Sequence, residues 1–171
     1  MTQQAVAEPI VRQVESTDAA PIASIYNYYI LNTIVTFEEE PVTAEELSCR
    51  IEAIGSAGLP WLVAVDRTAG VVGYAYARPW KPRSAYRYSV EITVYLAPEW
   101  GGRGLGTRLY EVLFASLRER GMHAVIGGIA LPNEASVALH EKFGLTQVAL
   151  FKEQGFKFGR WIDVGYWQRL L

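Results

Sequence analysis

The sequence predicts a mixed β-sheet flanked by helices, in the α/β or α+β class. Three observations carry that prediction. Apolar residues recur at helical spacing through Ile54, and the period turns strand-like from Trp61 onward. The later strand-like stretches are broken twice by helical segments that have their own start and stop residues. The 171 residues suit one domain around one core, without repeats or an interdomain linker.

The elements follow in order. Residues 1–9 read as an N-terminal tail, and 10–171 as a single domain opening with a short strand over 10–15. Asp18 is a candidate N-cap, followed by Ile22, Ile25, Tyr26, Tyr29 and Ile30 on one helical face. The next helix starts at a capping box of Thr43 and Glu46, with Val42 and Leu47 placed as a hydrophobic staple. Leu47, Ile51 and Ile54 form its stripe, and Gly55 or Gly58 ends it. Trp61–Asp66 and Val71–Ala77 flank Arg67–Gly70 as an antiparallel hairpin. Tyr86–Leu96 reads as a long strand with Val90, Ile92, Val94 and Leu96 on one face and Glu91, Thr93 and Tyr95 on the other.

A helix is expected from about Gly104 to Arg120, with Leu105, Leu109, Val112, Leu113 and Leu117 turned inward and Gly121 beyond its end. Val125–Ala130 is an apolar strand. Asn133 caps a helix ending near Phe143, with Gly144 after it, and strands over 146–153 and 160–170 close the chain. The predicted order is β-α-α-β-β-β-α-β-α-β-β.

Composition narrows the function classes. Sixteen basic against 18 acidic residues leave a net charge of −2, without the strong positive field that nucleic acid or an anionic membrane would require. A single cysteine, Cys49, excludes an intrachain disulfide framework and fits a reducing compartment. Neither a signal-like start nor an apolar run of transmembrane length is present, so a cytoplasmic protein is expected, with no nucleic-acid, membrane or metal partner.

The sharpest local signal is Gly101-Gly102-Arg103-Gly104-Leu105-Gly106-Thr107 between a strand and a helix. Glycines let backbone approach a ligand, and the free amides of a helix N-terminus favour phosphate; a glycine-rich turn without a ligand is the plainer alternative. The Gly-Lys-Ser/Thr ending of a Walker loop is absent. Glu91 stands in an otherwise apolar and aromatic strand, either paired with Arg87 or another cation or available as a base. Arg78, Lys81, Arg83 and Arg87 interleave with Trp80, Tyr86 and Tyr88. That stretch is a solvated loop, a weak nucleic-acid patch or an anion site, since arginine binds carboxylates with paired hydrogen bonds. For the anion site, Lys81, Arg83 and Tyr86 are the candidates, with Phe37 as a pocket wall. His123 reads as structural or solvent-facing.

Residues 90–106, and Asn133 followed by His140-Glu-Lys-Phe-Gly-Leu145, resemble the GNAT superfamily of acetyl-CoA-dependent N-acetyltransferases. Phe37–Pro41, Pro79–Tyr86, Leu131–Asn133 and Gly155–Gln168 narrow the likeness to the phosphinothricin and methionine sulfoximine acetyltransferases. The resemblance implies a GNAT fold, with six or seven strands splayed around the cofactor and about four helices. It implies acetyl-CoA as co-substrate and the α-amino group of a small amino acid as acceptor. Attack would be direct in a ternary complex, with Cys49 far from every motif. Glu91 would be the general base, and His140 would protonate the leaving thiolate.

Cofactor contacts are expected from Gly102, Arg103, Gly104, Leu105, Gly106 and Thr107, from the main chain of Val94, Tyr95 and Leu96, and from Asn133. Gly101 departs from the Gln or Arg usual at the first motif position. A homodimer is expected, with Trp161, Tyr166 and Trp167 near its contact. Acetylation of another amine, such as a protein N-terminus or a polyamine, and a non-catalytic CoA sensor are the alternatives.

Overall fold

The computed structural model describes residues 8–171, so the tail expected over 1–9 lies outside the described residues except for Glu8 and Pro9. Strand β1 (Ile10–Gln13) leads through a 3₁₀ turn into α1 (Ala19–Asn32), and α2 (Ala44–Ser56) follows. The chain continues through β2 (Trp61–Asp66), β3 (Gly70–Pro79), β4 (Ser89–Leu96), α3 (Leu105–Glu119), β5 (Ala124–Ala130), α4 (Glu134–Lys142), β6 (Thr146–Lys157) and β7 (Arg160–Leu170). The seven strands form one mixed sheet in the order β1-β2-β3-β4-β5-β7-β6. Both the predicted element order and the mixed sheet with four helices are present. None of the described helices is long and apolar enough to cross a membrane.

Local chemistry explains most boundaries. Thr43 Oγ1 accepts from the Glu46 amide at 3.1 Å and Glu46 returns the bond to the Thr43 amide at 2.8 Å, while Val42 and Leu47 are buried beneath them. Gly58, with φ +70°, rather than Gly55, terminates α2.

Four details differ from the sequence expectation. The Asp18 side chain does not cap α1; it accepts from the Glu15 amide and takes both arms of Arg12, at 2.7 and 2.9 Å. The stretch from Tyr86 to Tyr88 does not extend β4, because Ser84–Tyr86 form a 3₁₀ turn after Pro82. Val112 is 41% exposed, and Tyr110 and Phe114 are buried in its place. The inward face of α3 is rotated because both rings pack on Phe143 at the end of α4. Strand β6 runs on to Lys157, with irregular pairing between Phe151 and Gly155.

Successive residues of a strand face opposite sides, and this sorts the layers. Tyr95 meets Tyr26 and Tyr29 of α1 with Tyr74 beside it on the same face, whereas Gly73 lies against Leu96 and Leu109 toward α3. Helices α1 and α2 therefore cover one face and α3 the other, with α4 against β5. The functional consequence lies between β4 and β5. This is the only parallel pairing among the described residues, and it spans just Ser89–Glu91 against Ala124–Ile126. Beyond Glu91 and Ile126 the strands part.

Candidate active site

The parting of β4 from β5 opens a cleft of about 1320 Å³ through the middle of the sheet. Its walls come from β3, β4, β5, β7, the glycine loop before α3, one side of α4, and α1 and α2 with the segment between them.

Glu91 stands at the fork, where β4 last pairs with β5. The β3–β4 register sets it opposite Arg78, whose Nε and Nη2 donate to Glu91 Oε2 at 2.8 and 2.5 Å. The cation expected beside Glu91 is therefore Arg78 rather than Arg87, a choice fixed by strand register. Glu91 Oε1 also approaches Gly128 of β5, where a Cβ would stand 3.1 Å from it and from the Tyr166 ring. Burial, and then the charge of Glu91, raises the pKa of the Tyr166 phenol.

His140 occupies the other side of β5. A Cβ on Gly127 would collide with the imidazole. Neighbouring glycines thus admit a carboxylate on one face of the strand and a histidine on the other, so Glu91 and His140 flank the sheet rather than each other. His140 is 3% exposed; its Nδ1 lies 2.7 Å from the Ser136 carbonyl oxygen and its Nε2 lies 3.1 Å from the Tyr110 hydroxyl. Burial lowers the imidazole's pKa, with the Ser136 carbonyl partly opposing, and burial raises that of Tyr110.

The glycine loop turns tightly before α3, with Gly102 and Gly104 at φ +71° and +77°, a conformation that side chains disfavour. Gly102, Gly104, Gly106 and Thr107 line the cleft. Leu105 is a core residue and can offer only its amide, while the Arg103 guanidinium lies 5.2 Å from the Trp100 ring centre. The first α3 amides point out of the helix beside this loop, a setting that suits a pyrophosphate. Lys142, missed in the sequence, brings its Nζ to 3.2 Å from Thr107 Oγ1 and adds a cation to the cleft wall. At Gly101 a Cβ would meet nothing closer than Pro98 O at 3.7 Å, so glycine is not sterically required there.

Val94, Tyr95 and Leu96 all line the cleft. The Ala97 amide donates to Val72 O, at 2.9 Å, which fixes the alternation of the β3–β4 ladder. By that alternation the Tyr95 amide points to β3, and those of Val94 and Leu96 point into the parted strands. Asn133 both lines the cleft and caps α4, its Oδ1 accepting from the Ser136 amide at 3.1 Å.

Phe37 and Glu38 line the cleft on the α1 side, where Glu38 holds Arg50 at 2.6 and 3.0 Å and accepts from Tyr26 at 2.9 Å. Lys81, Arg83 and Tyr86 are not among the residues lining the cleft. With Arg87, Ala57 and Leu59 they line a separate hollow of about 320 Å³. His123 is exposed just before β5, its carbonyl taking the Leu171 amide.

The comparisons with known proteins agree with this geometry. Residues 11–165 match the family model described as Acetyltransferase (GNAT) domain. The chain is 40% identical to a phosphinothricin N-acetyltransferase of Streptomyces coelicolor, over 96% of this chain and 98% of that protein. It is 35% identical to an L-methionine sulfoximine/L-methionine sulfone acetyltransferase of Salmonella typhimurium, over 92% of each. A crystal structure of a GNAT superfamily phosphinothricin acetyltransferase from Sinorhizobium meliloti in complex with acetyl-CoA superposes with a TM-score of 0.93. It is 36% identical and covers 96% of this chain and 89% of that one.

Proposed function

The chain belongs to the GNAT acetyltransferase family, and on that premise we propose that it acetylates the α-amino group of a small amino acid of the phosphinothricin or methionine sulfoximine kind. The observation that carries the proposal is the fork at Glu91, where a carboxylate paired with one arginine faces a cleft open to both sides of the sheet. Acetyl-CoA supplies an activated acyl group as its thioester.

Each chain residue has a distinct task in this assignment. Amides of Gly102 to Thr107, with Lys142, hold the pyrophosphate. The amides of Val94 and Leu96, free in the parted strands, bind the pantetheine arm and the acetyl oxygen, whose charge grows during attack. Asn133 supports the same arm. Arg78 takes the acceptor's α-carboxylate through its planar fork. This replaces Lys81, Arg83 and Tyr86, which stand outside the cleft. As Arg78 turns to the substrate, Glu91 is released to remove the ammonium proton, and the amine nitrogen can then attack. The N–C bond forms as the C–S bond breaks, and the second proton of the attacking nitrogen passes to the departing sulfur, so that CoA leaves as the thiol on the His140 side. Phe37 walls the acceptor's side chain.

A second copy of the chain is proposed to pack on β6 and β7. Trp167 is buried in the core and Tyr166 lines the cleft, so neither serves this contact, but Val148, Leu150, Phe156, Phe158 and Trp161 are exposed there.

The test is thiol release from acetyl-CoA against a panel of free amino acids, phosphinothricin and methionine sulfoximine, a peptide N-terminus and a polyamine. Turnover is expected with the amino-acid analogues. Glu91→Gln should lower kcat by roughly 10²-fold or more while leaving acetyl-CoA affinity unchanged. Tight CoA binding without turnover of any amine would instead make the chain a sensor, and near-normal turnover by Glu91→Gln would remove the assigned base.

A further inference from the structure

Lys157 ends β6 with its side chain inside the protein, 2% exposed. Its ammonium donates to the main-chain carbonyl of Thr36, 121 residues away, at 2.8 Å. A buried cation is costly unless a polar partner needs it, and a leucine would fill the space without that cost. Thr36 belongs to the segment between α1 and α2, and Val35, Thr36, Phe37 and Glu38 of that segment line the cleft.

The segment is tied down on two sides. Toward α1 and α2, Thr33 Oγ1 bonds to Tyr29 O, Thr36 Oγ1 to the Tyr26 hydroxyl and Glu38 to Arg50. Toward the C-terminal strands, Ile34 packs with Ala130 and Ile162. Two residues of one β6 face complete the hold. Gly155 lies against Phe37, whose ring a Cβ at that position would strike, and Lys157 holds the Thr36 carbonyl between those contacts. The charge of Glu39 favours the ammonium form, against the burial that opposes it.

We propose that Lys157 is a positioning residue for the acceptor. By fixing the Thr36 carbonyl it holds the Phe37–Glu38 wall at a set distance from Glu91, and so determines which acceptor side chains fit. This rests on the amino-acid acetyltransferase assignment above. It places part of the acceptor specificity in β6, remote in sequence from every motif that binds the co-substrate.

Lys157→Met keeps much of the volume and removes the donor. Its acceptor KM should rise roughly tenfold or more, since small misplacements of a substrate wall are amplified in catalysis. The acetyl-CoA KM should stay unchanged. Hydrogen exchange in residues 34–38 should quicken about tenfold while β5 stays protected, and Lys157→Arg, which restores a donor, should recover part of both effects. An unchanged acceptor KM, or equal rises in both KM values, would overturn the proposal. Should Lys157→Met not fold, Gly155→Ala must reproduce the acceptor-specific KM rise by displacing Phe37; an unchanged value there also sinks the idea. If the wild type turns over no amino acid, the functional assignment fails instead. The exchange measurement then decides the hold on the wall alone: unaltered exchange at 34–38 overturns it, and faster exchange upholds that hold while the acceptor role falls with the assignment.

Discussion

At the scale of single residues, the surroundings of His140 set its protonation. The Ser136 carbonyl can only accept, so the proton of the neutral ring sits on Nδ1, and Nε2 receives the Tyr110 hydroxyl. Donating a proton to a departing thiolate would need a protonated Nε2 in a place where burial disfavours the cation. We therefore assign His140 to holding Tyr110 and seating α4, in place of the acid role expected for it.

Two measurements follow. The folded-state pKa lies below the ordinary 6.5. Below that pH the unfolded chain takes up a proton that the folded chain resists. Stability is thus complete above 6.5 and falls as pH drops beneath it, by at most about 1.4 kcal/mol per pH unit. The urea midpoint of the wild type should fall more steeply between about pH 7 and about pH 5 than that of His140→Gln. In catalysis, kcat should show no alkaline limb that His140→Gln abolishes; finding one would restore the acid role.

At the scale of elements, β5 is the pivot, because consecutive glycines give its two faces different guests. Gly128→Ala would bring a methyl to 3.1 Å from Glu91 Oε1 and the Tyr166 ring. It should lower kcat at least tenfold with acetyl-CoA affinity unchanged by calorimetry. Gly127→Ala would displace the buried His140 ring and should cost roughly 1–3 kcal/mol of stability in urea titrations. Two silent variants would show that the strand tolerates bulk and that the glycines position nothing, whereas exchanged phenotypes would reverse the faces assigned to the two guests.

These glycines also mark how far sequence alone reaches. The capping box at Thr43, the glycine loop and the strand bearing Glu91 are written in contiguous residues, so they were legible. The Gly127-Gly128 pair in an apolar strand was a readable sign of close approach, but its guests, Glu91 and His140, come from other elements. Strand register chose Arg78 as the partner of Glu91, while Lys81 and Arg83 lie past the end of β3 and outside the cleft. Val112 and Phe114 border the same helical stripe, and only the docking of Phe143 decides between them. Lys157 carries no local signal, because its partner is a backbone carbonyl 121 residues away.

At the scale of the whole molecule, two further expectations arise from surfaces and openings. The exposed apolar residues of β6 and β7 predict a dimer in sedimentation at micromolar concentration. The pair Val148→Asp and Trp161→Asp, 56% and 60% exposed, should dissociate it without unfolding; a monomeric wild type would remove the proposed contact. The kinetic order follows from the sheet itself. The glycine loop and α3 approach the cleft from the His140 side of β5, whereas Glu91, Arg78 and Phe37 approach from the side of α1 and α2. Two substrates can thus enter by separate faces and meet between the parted strands, where the amine needs no intermediate carrier. Cys49, the chain's one thiol, is exposed on α2 and does not line the cleft, so an acetyl-cysteine relay has no group to form on. Initial-rate plots against both substrates should intersect, and free CoA should compete with acetyl-CoA but not with the amino acid. Cys49→Ser should keep full turnover. Parallel lines together with a dead Cys49→Ser variant would establish a covalent relay, and the parted strands would then serve binding alone.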